Sequence, residues 1–138
     1  MANDFTVSVH AAVPPHQAWD LAGDPGSIHE WFGPVVATRM DGDIRTVEMA
    51  SGAKLVERVT EGEPGELSYS YEVLEGIPGL TSHRATLWVS AADRGCTINW
   101  RQTATSEVEG YDIEARLGGV LVAGLERLRD VLEGAVGD

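Results

Sequence analysis

The apolar positions of this chain change period several times, and the changes mark out its elements. Phe5, Val7 and Val9 alternate with Thr6, Ser8 and His10, which predicts a half-buried strand. Pro14-Pro15 ends it. Pro15 suits the first position of a helix, where an N–H is unsatisfied anyway, so His16 to Leu21 reads as a short helix with Ala18, Trp19 and Leu21 as its apolar members. Gly23-Asp24-Pro25-Gly26 breaks the chain again, and Ser27 is placed to cap a second short helix, Ile28 to Phe32. From Val35 onward the period is two. Strands are predicted at Val35 to Met40, Ile44 to Met49, Leu55 to Thr60, Leu67 to Leu74, Thr81 to Ser90 and Cys96 to Thr105. Between them fall the turns Asp41-Gly42-Asp43, Ser51-Gly52, Glu63-Pro64-Gly65 and Asp93-Arg94-Gly95, and the loop Glu75 to Gly79.

The stretch from Gly110 to Val136 carries Ile113, Leu117, Val120, Leu121, Gly124, Leu128 and Leu132 at steps of three and four, the mark of one buried helical face. Asp112 serves as N-cap and Gly134 as the C-terminal stop. At ~1.5 Å per residue such a helix runs about 35 Å, the width of a small domain. Its glycines are unusual, since Gly118, Gly119 and Gly124 each cost roughly 1 kcal/mol against alanine in a helix interior. Either the helix backbone packs closely on a sheet there, or the missing side chains leave room for a ligand. The apolar run Leu117 to Leu125 is far short of the ~20 residues that a membrane span needs.

One strand, two short helices, six strands and one long helix, joined by hairpin-length connections, predict an α+β fold with a seven-stranded antiparallel sheet. A twisted sheet of that size can curl around the last helix and leave a cavity between them. The 138 residues form one domain, 1–138, by length. A hydrophobic content of 43% argues against disorder. The formal net charge of -12 argues against a nucleic-acid partner and an anionic membrane surface, both of which call for clustered Lys and Arg. Cys96 is the only cysteine, so neither an internal disulfide nor a cysteine-rich zinc site can form. The opening Met-Ala-Asn-Asp lacks the basic and apolar regions of a signal peptide, so the expected location is the cytoplasm, as monomer or homodimer.

Several local motifs together resemble a known group. These are Ile28-His29-Glu30-Trp31-Phe32 before the second strand, Arg45-Thr46-Val47, Val56-Glu57-Arg58-Val59, Ser68-Tyr69-Ser70-Tyr71 and His83-Arg84-Ala85-Thr86-Leu87. With the element order they resemble the START-like, Bet v 1-like superfamily, the helix-grip fold. The likeness is strongest to its bacterial SRPBCC members of polyketide cyclase/dehydrase and lipid-transport type. The plant abscisic-acid receptors look like distant relatives. Ser51-Gly52-Ala53 matches their gate hairpin without its proline, and Glu75 to Gly79 matches their latch without its His-Arg-Leu. The resemblance implies a cavity between the sheet and the last helix. From the sheet its walls would be Arg45, Val47, Met49, Glu57, Tyr71, Val73, His83, Ala85 and Trp100. From the helix they would be Leu117, Val120, Leu121 and Gly124, with His29, Trp31 and Phe32 at the wall or mouth.

Two of those residues are candidates for chemistry. Glu57 shares strand parity with Leu55 and Val59, so its carboxylate faces inward, and an inward carboxylate costs several kcal/mol unless paired or protonated. Arg45, aligned with Val47 and Met49 one strand over, is its natural partner. The pair reads either as structural or as a polar anchor and general base whose pKa burial could raise. His83 shares parity with Ala85, Leu87 and Val89, and reads as a hydrogen-bonded core histidine or a proton shuttle. No phosphate loop or dinucleotide fingerprint is present, and nothing in the spacing of His29, Glu57 and His83 is diagnostic of a metal, so no cofactor is implied. The leading expectation is a binding protein for a small hydrophobic or aromatic molecule, polyketide-, lipid- or isoprenoid-like. The alternatives are a polyketide cyclase/dehydratase-type enzyme using Glu57 and His83 as acid and base, and a partner-binding module resembling a stress-responsive co-chaperone domain.

Overall fold

The computed structural model describes residues 3–134 apart from residue 64; Pro64 of one expected turn, and Val136 with its neighbour in the expected helix, lie outside the described residues. Strand β1 (Asn3–Ala11) is followed by helix α1 (Pro15–Ala22) and a short 3-10 helix (Pro25–Glu30). Six strands come next: β2 (Val35–Asp41), β3 (Ile44–Met49), β4 (Lys54–Glu61), β5 (Ser68–Glu75), β6 (Leu80–Ala92) and β7 (Gly95–Ser106). Helix α2 (Ile113–Leu132) ends the chain. The strands form one seven-stranded sheet in the order β1-β7-β6-β5-β4-β3-β2, every pair antiparallel. The first two strands therefore lie at opposite edges, and α1 with the 3-10 helix carries the chain from one edge to the other. The curved sheet and the long helix make a helix-grip fold.

The period-two pattern becomes the inner face of the sheet. On β6, His83, Ala85, Leu87 and Val89 are buried; on β7, Cys96, Ile98, Trp100, Gln102 and Ala104 are. Helix α2 lays Ile113, Leu121, Gly124, Leu125 and Leu128 against that face, packing chiefly on β1. Its start is set as the sequence predicts, with Asp112 accepting a hydrogen bond from the Ala115 N–H at 3.1 Å. Its end is set by Gly134 at φ 73°, a left-handed conformation that favours glycine.

Three details differ from the sequence reading. The second short helix is a 3-10 helix that ends before Trp31 and Phe32, and its cap is Asp24, not Ser27. Asp24 Oδ1 accepts from the Gly26 N–H at 3.0 Å and Oδ2 from the Ser27 hydroxyl at 2.7 Å, so Ser27 is a donor to the cap. Val120 is 42% exposed, because the helix is rolled so that Leu121 and Leu125 point to the core. The glycines of α2 also divide. A Cβ built on Gly124 would lie 2.5 Å from Phe32 Cδ1, so that glycine lets the Phe32 ring pack on the helix backbone and leaves no room for a ligand. Gly118 and Gly119 do neither: a Cβ at Gly119 meets nothing within 4 Å, and one at Gly118 meets only the Glu114 and Phe5 side chains, at ordinary contact distance.

This division predicts opposite signs for two alanine substitutions. Gly124→Ala should destabilise by about 1–3 kcal/mol, because the Phe32 ring must be displaced. Gly119→Ala should stabilise by up to about 1 kcal/mol through helix propensity alone. Urea unfolding of both variants checks this, and equal effects would contradict the packing described.

Candidate functional site

The site begins with a cross-strand pair. β3 and β4 place Arg45 and Glu57 directly opposite each other, and a register shift between β4 and β5 falls at Val56/Glu57. Such bulges re-aim side chains and recur beside functional sites. Arg45 is fully buried and Glu57 is 4% exposed. Arg45 Nε donates to Glu57 Oε1 at 2.7 Å, and Arg45 Nη1 donates to the Pro25 carbonyl at 3.0 Å and to the Tyr69 hydroxyl at 3.2 Å. Arg45 Nη2 has no hydrogen-bond partner among the described residues, but the guanidinium carbon lies 4.7 Å from the centre of the Tyr71 ring, where the aromatic face attracts a cation. Burial alone would lower the pKa of Arg45, and Tyr69, Glu57 and Tyr71 outweigh it, so the group is held firmly charged. Burial pushes Glu57 above the usual carboxylate range, and Arg45 pulls it only part of the way back.

Next to this pair runs a chain of hydrogen bonds whose direction is fixed. The Val73 N–H can only donate, and it meets His83 Nδ1 at 3.1 Å, so Nδ1 is the bare acceptor. A neutral His83 then carries its proton on Nε2 and donates to Gln102 Oε1 at 2.7 Å. That orientation turns the Gln102 amide nitrogen toward the Tyr71 hydroxyl, 3.4 Å away. The Trp100 indole N–H donates to the same hydroxyl oxygen at 3.1 Å. Burial holds the His83 pKa below its ordinary value, consistent with the neutral ring.

Above these groups, between the sheet and α2, lies a cavity of about 100 Å³. The sheet contributes Val47, Met49, Leu55, Val73 and Trp100, and the helix contributes Leu117, Val120 and Leu121. Ile28, Phe32, Val35 and Ile77 complete the apolar wall, and Glu57, Tyr71, His83 and Gln102 are its polar members. The half-exposed Val120 marks the mouth on the helix side.

Of the residues named from sequence, Arg45, Ala85, Gly124, His29 and Trp31 do not line this cavity. Arg45 is fully enclosed by its own ion pair and tyrosines. Ala85 faces inward, but its strand neighbours Tyr71 and Gln102 carry the longer side chains that reach the cavity. Gly124 is covered by Phe32. His29 is exposed, with Nδ1 2.9 Å from the Thr38 hydroxyl, and Trp31 stacks edge-on against Trp100 at 5.5 Å. Sequence reasoning missed Ile28, Val35, Leu55, Ile77 and Gln102. Gln102 shares strand parity with Ile98 and Trp100, and that parity is the signal that could have found it. Among the described residues, no group of three His, Cys, Asp or Glu stands close enough to hold a metal, and no helix is long and apolar enough to cross a membrane.

A family model described as polyketide cyclase / dehydrase and lipid transport matches residues 2–133. No curated protein matches the sequence. Among solved structures, the protein XoxI from Bacillus cereus is similar at 25% identity, covering 96% of each chain with a TM-score of 0.86. A protein from Thermobifida fusca is similar at 26% identity, covering 94% of this chain and 93% of its own, with a TM-score of 0.76. Ara h 8.0201, at 12% identity, covers 97% of this chain and 99% of its own with a TM-score of 0.77, which is a likeness of fold.

The two shifted groups predict pH effects of opposite sign. His83 is harder to protonate when folded, so the unfolded chain binds more protons below about 6.5 and stability falls with acidification there. Glu57 is easier to protonate when folded, so its contribution falls as pH rises above its ordinary 4.5. The stability difference between wild type and His83→Gln should therefore move against wild type as pH drops below 6.5, because Glu57 is common to both proteins. Urea unfolding across that range checks it, and a constant difference would contradict a neutral, buried His83.

Proposed function

The chain belongs to the polyketide cyclase/dehydrase and lipid-transport family, and from that premise we propose that it binds a small hydrophobic or aromatic molecule in the cavity between the sheet and α2. The observation that carries the proposal is the character of the wall. Twelve of its sixteen residues are apolar or tryptophan and phenylalanine, and the polar four are gathered on β4 to β7. This is the pattern of a ligand pocket, in which apolar surface supplies affinity and a few polar atoms fix orientation.

Size refines the proposal. Pockets for drug-sized ligands run to about 300–1,000 Å³, so a cavity of about 100 Å³ takes a ligand near the size of one aromatic ring as it stands. A polyketide-, lipid- or isoprenoid-like ligand needs a wider mouth. In the first half of α2, Gly118-Gly119 lies between the lining residues Leu117 and Val120, and neither glycine is packed tightly enough to fix that stretch. The loop after β5 contributes Ile77 to the same wall.

The enzyme alternative draws less support. Glu57 lies on the wall, and burial raises its pKa in the direction a general base needs, but Arg45 holds one of its oxygens. Both His83 nitrogens are taken by Val73 and Gln102, so His83 has no free lone pair for a substrate proton.

Filling the cavity tests the proposal. Leu121→Trp should reduce toluene binding, read by ligand-observed NMR, by at least about tenfold, since the added ring occupies the ligand's volume. Val122→Trp, one residue along on the exposed side, should leave it unchanged. Equal binding by both variants would place the ligand elsewhere and overturn the proposal.

A further inference from the structure

The hydrogen-bond direction at the floor of the cavity restricts what a ligand can offer. Trp100 Nε1–H and Gln102 Nε2–H both point their protons at the Tyr71 oxygen, at 3.1 and 3.4 Å. A phenol oxygen has two lone pairs, so both are committed. The Tyr71 proton has no acceptor among the described residues, and Tyr71 lines the cavity. A tyrosine free of such neighbours can donate or accept. This one can only donate. The relay that enforces it starts at the Val73 backbone N–H, whose sense cannot be reversed, and passes through His83 and Gln102.

The second polar feature of the wall is Glu57. Only Oε1 is engaged by Arg45 among the described residues, and Arg45 itself does not line the cavity. The space thus sees a carboxylate and one phenol donor. An anionic ligand headgroup would meet that carboxylate in a low-dielectric setting, where like charges repel strongly.

We propose that the cavity selects neutral carbonyl compounds, aryl ketones or enones, whose oxygen accepts the Tyr71 hydroxyl proton, and that it discriminates against free carboxylic acids such as fatty acids. The inference rests on the ligand-binding reading above and sharpens it. Of the classes that reading admits, it favours the ketone-bearing, polyketide-like one over the free-acid lipid.

A matched set of ring-sized probes tests it. Acetophenone, ethylbenzene and benzoate share one aromatic ring and differ in offering a carbonyl oxygen, no acceptor and an anion. Binding to the wild-type protein is measured at neutral pH by titration followed through the Trp100 indole N–H resonance. Acetophenone should bind about five- to tenfold more tightly than ethylbenzene, the net value of one hydrogen bond in such a site. Benzoate should bind more weakly than either. Tyr71→Phe keeps the ring, removes that donor and frees the Trp100 and Gln102 N–H groups. The acetophenone preference should therefore shrink and pass to the Trp100 indole N–H, whose resonance then moves more with acetophenone than with ethylbenzene, while ethylbenzene stays within about twofold of wild type. Equal wild-type binding of acetophenone and ethylbenzene would overturn the donor assignment while leaving the hydrophobic-binding reading standing. An undiminished preference in Tyr71→Phe, with the Trp100 indole resonance responding alike to acetophenone and ethylbenzene, would overturn the role of Tyr71, and tighter binding of benzoate would overturn the exclusion of acids. Failure of the wild-type protein to bind any of the three would overturn both the inference and the reading beneath it. The wild-type comparison does not depend on the variant folding.

Discussion

A single buried cation sets the terms for the rest of this molecule. Arg45 is wholly removed from water, and its guanidinium cannot shed its charge. Everything packed around it answers that charge. Glu57 supplies the counter-charge at 2.7 Å, Tyr69 and the Pro25 carbonyl accept from Nη1, and the Tyr71 ring lies against its face. These partners come from β4, β5 and the 3-10 helix, so the ion pair ties the sheet to the segment that crosses from one edge to the other. Breaking such a pair by removing one member typically costs about 3–5 kcal/mol, because an uncompensated buried charge remains.

The same arrangement shapes the cavity. Because Glu57, Tyr69, Tyr71 and the Pro25 carbonyl enclose Arg45, its charge stays off the cavity wall, which can remain largely apolar. His83 and Gln102 are absorbed into a relay that ends on Tyr71, so of the polar members of the wall only Glu57 and Tyr71 retain strong capacity for a ligand. Residues that look reactive in isolation are thus mostly positioning groups. His83 holds Gln102, Gln102 orients Tyr71, and burial keeps the Tyr71 phenol protonated by raising its pKa, with nearby Glu57 adding to the effect. The opposite side of the cavity is built differently. There the helix carries Gly118 and Gly119, which touch little, and the loop after β5 contributes the apolar Ile77.

How much of this is legible in the sequence depends on which signal each feature leaves. Strand parity puts Arg45 and Glu57 on the same inner face, and a buried carboxylate needs a partner, so their pairing follows from the sequence alone. The hairpins and the Asp112 cap are legible because turn and cap chemistry is local. Parity says which way a side chain faces, not how deep it sits, and that is why it assigns Ala85 to the cavity wall although longer neighbours cover the position. Helical steps of three and four define a broad face whose edges are blurred, so the spacing draws Val120 inside and leaves Leu125 out. Gly124 stands out as odd, but its reason lies with Phe32, distant in sequence. Ile77 sits in a loop, where periodicity says nothing, and the direction of the His83–Gln102–Tyr71 relay follows only from the Val73 N–H.

Everything proposed for this molecule depends on the space between sheet and helix being a binding site. Native mass spectrometry of the purified protein, with organic extraction of what it carries and with a neutral aromatic ketone added in excess, addresses that directly. A one-to-one complex that dissociates to the free chain on collisional activation, and that Leu121→Trp does not form, is the result predicted. A wild-type chain that stays unliganded at saturating ketone, with nothing recovered on extraction, would contradict it, and the cavity would then be a packing feature of the fold.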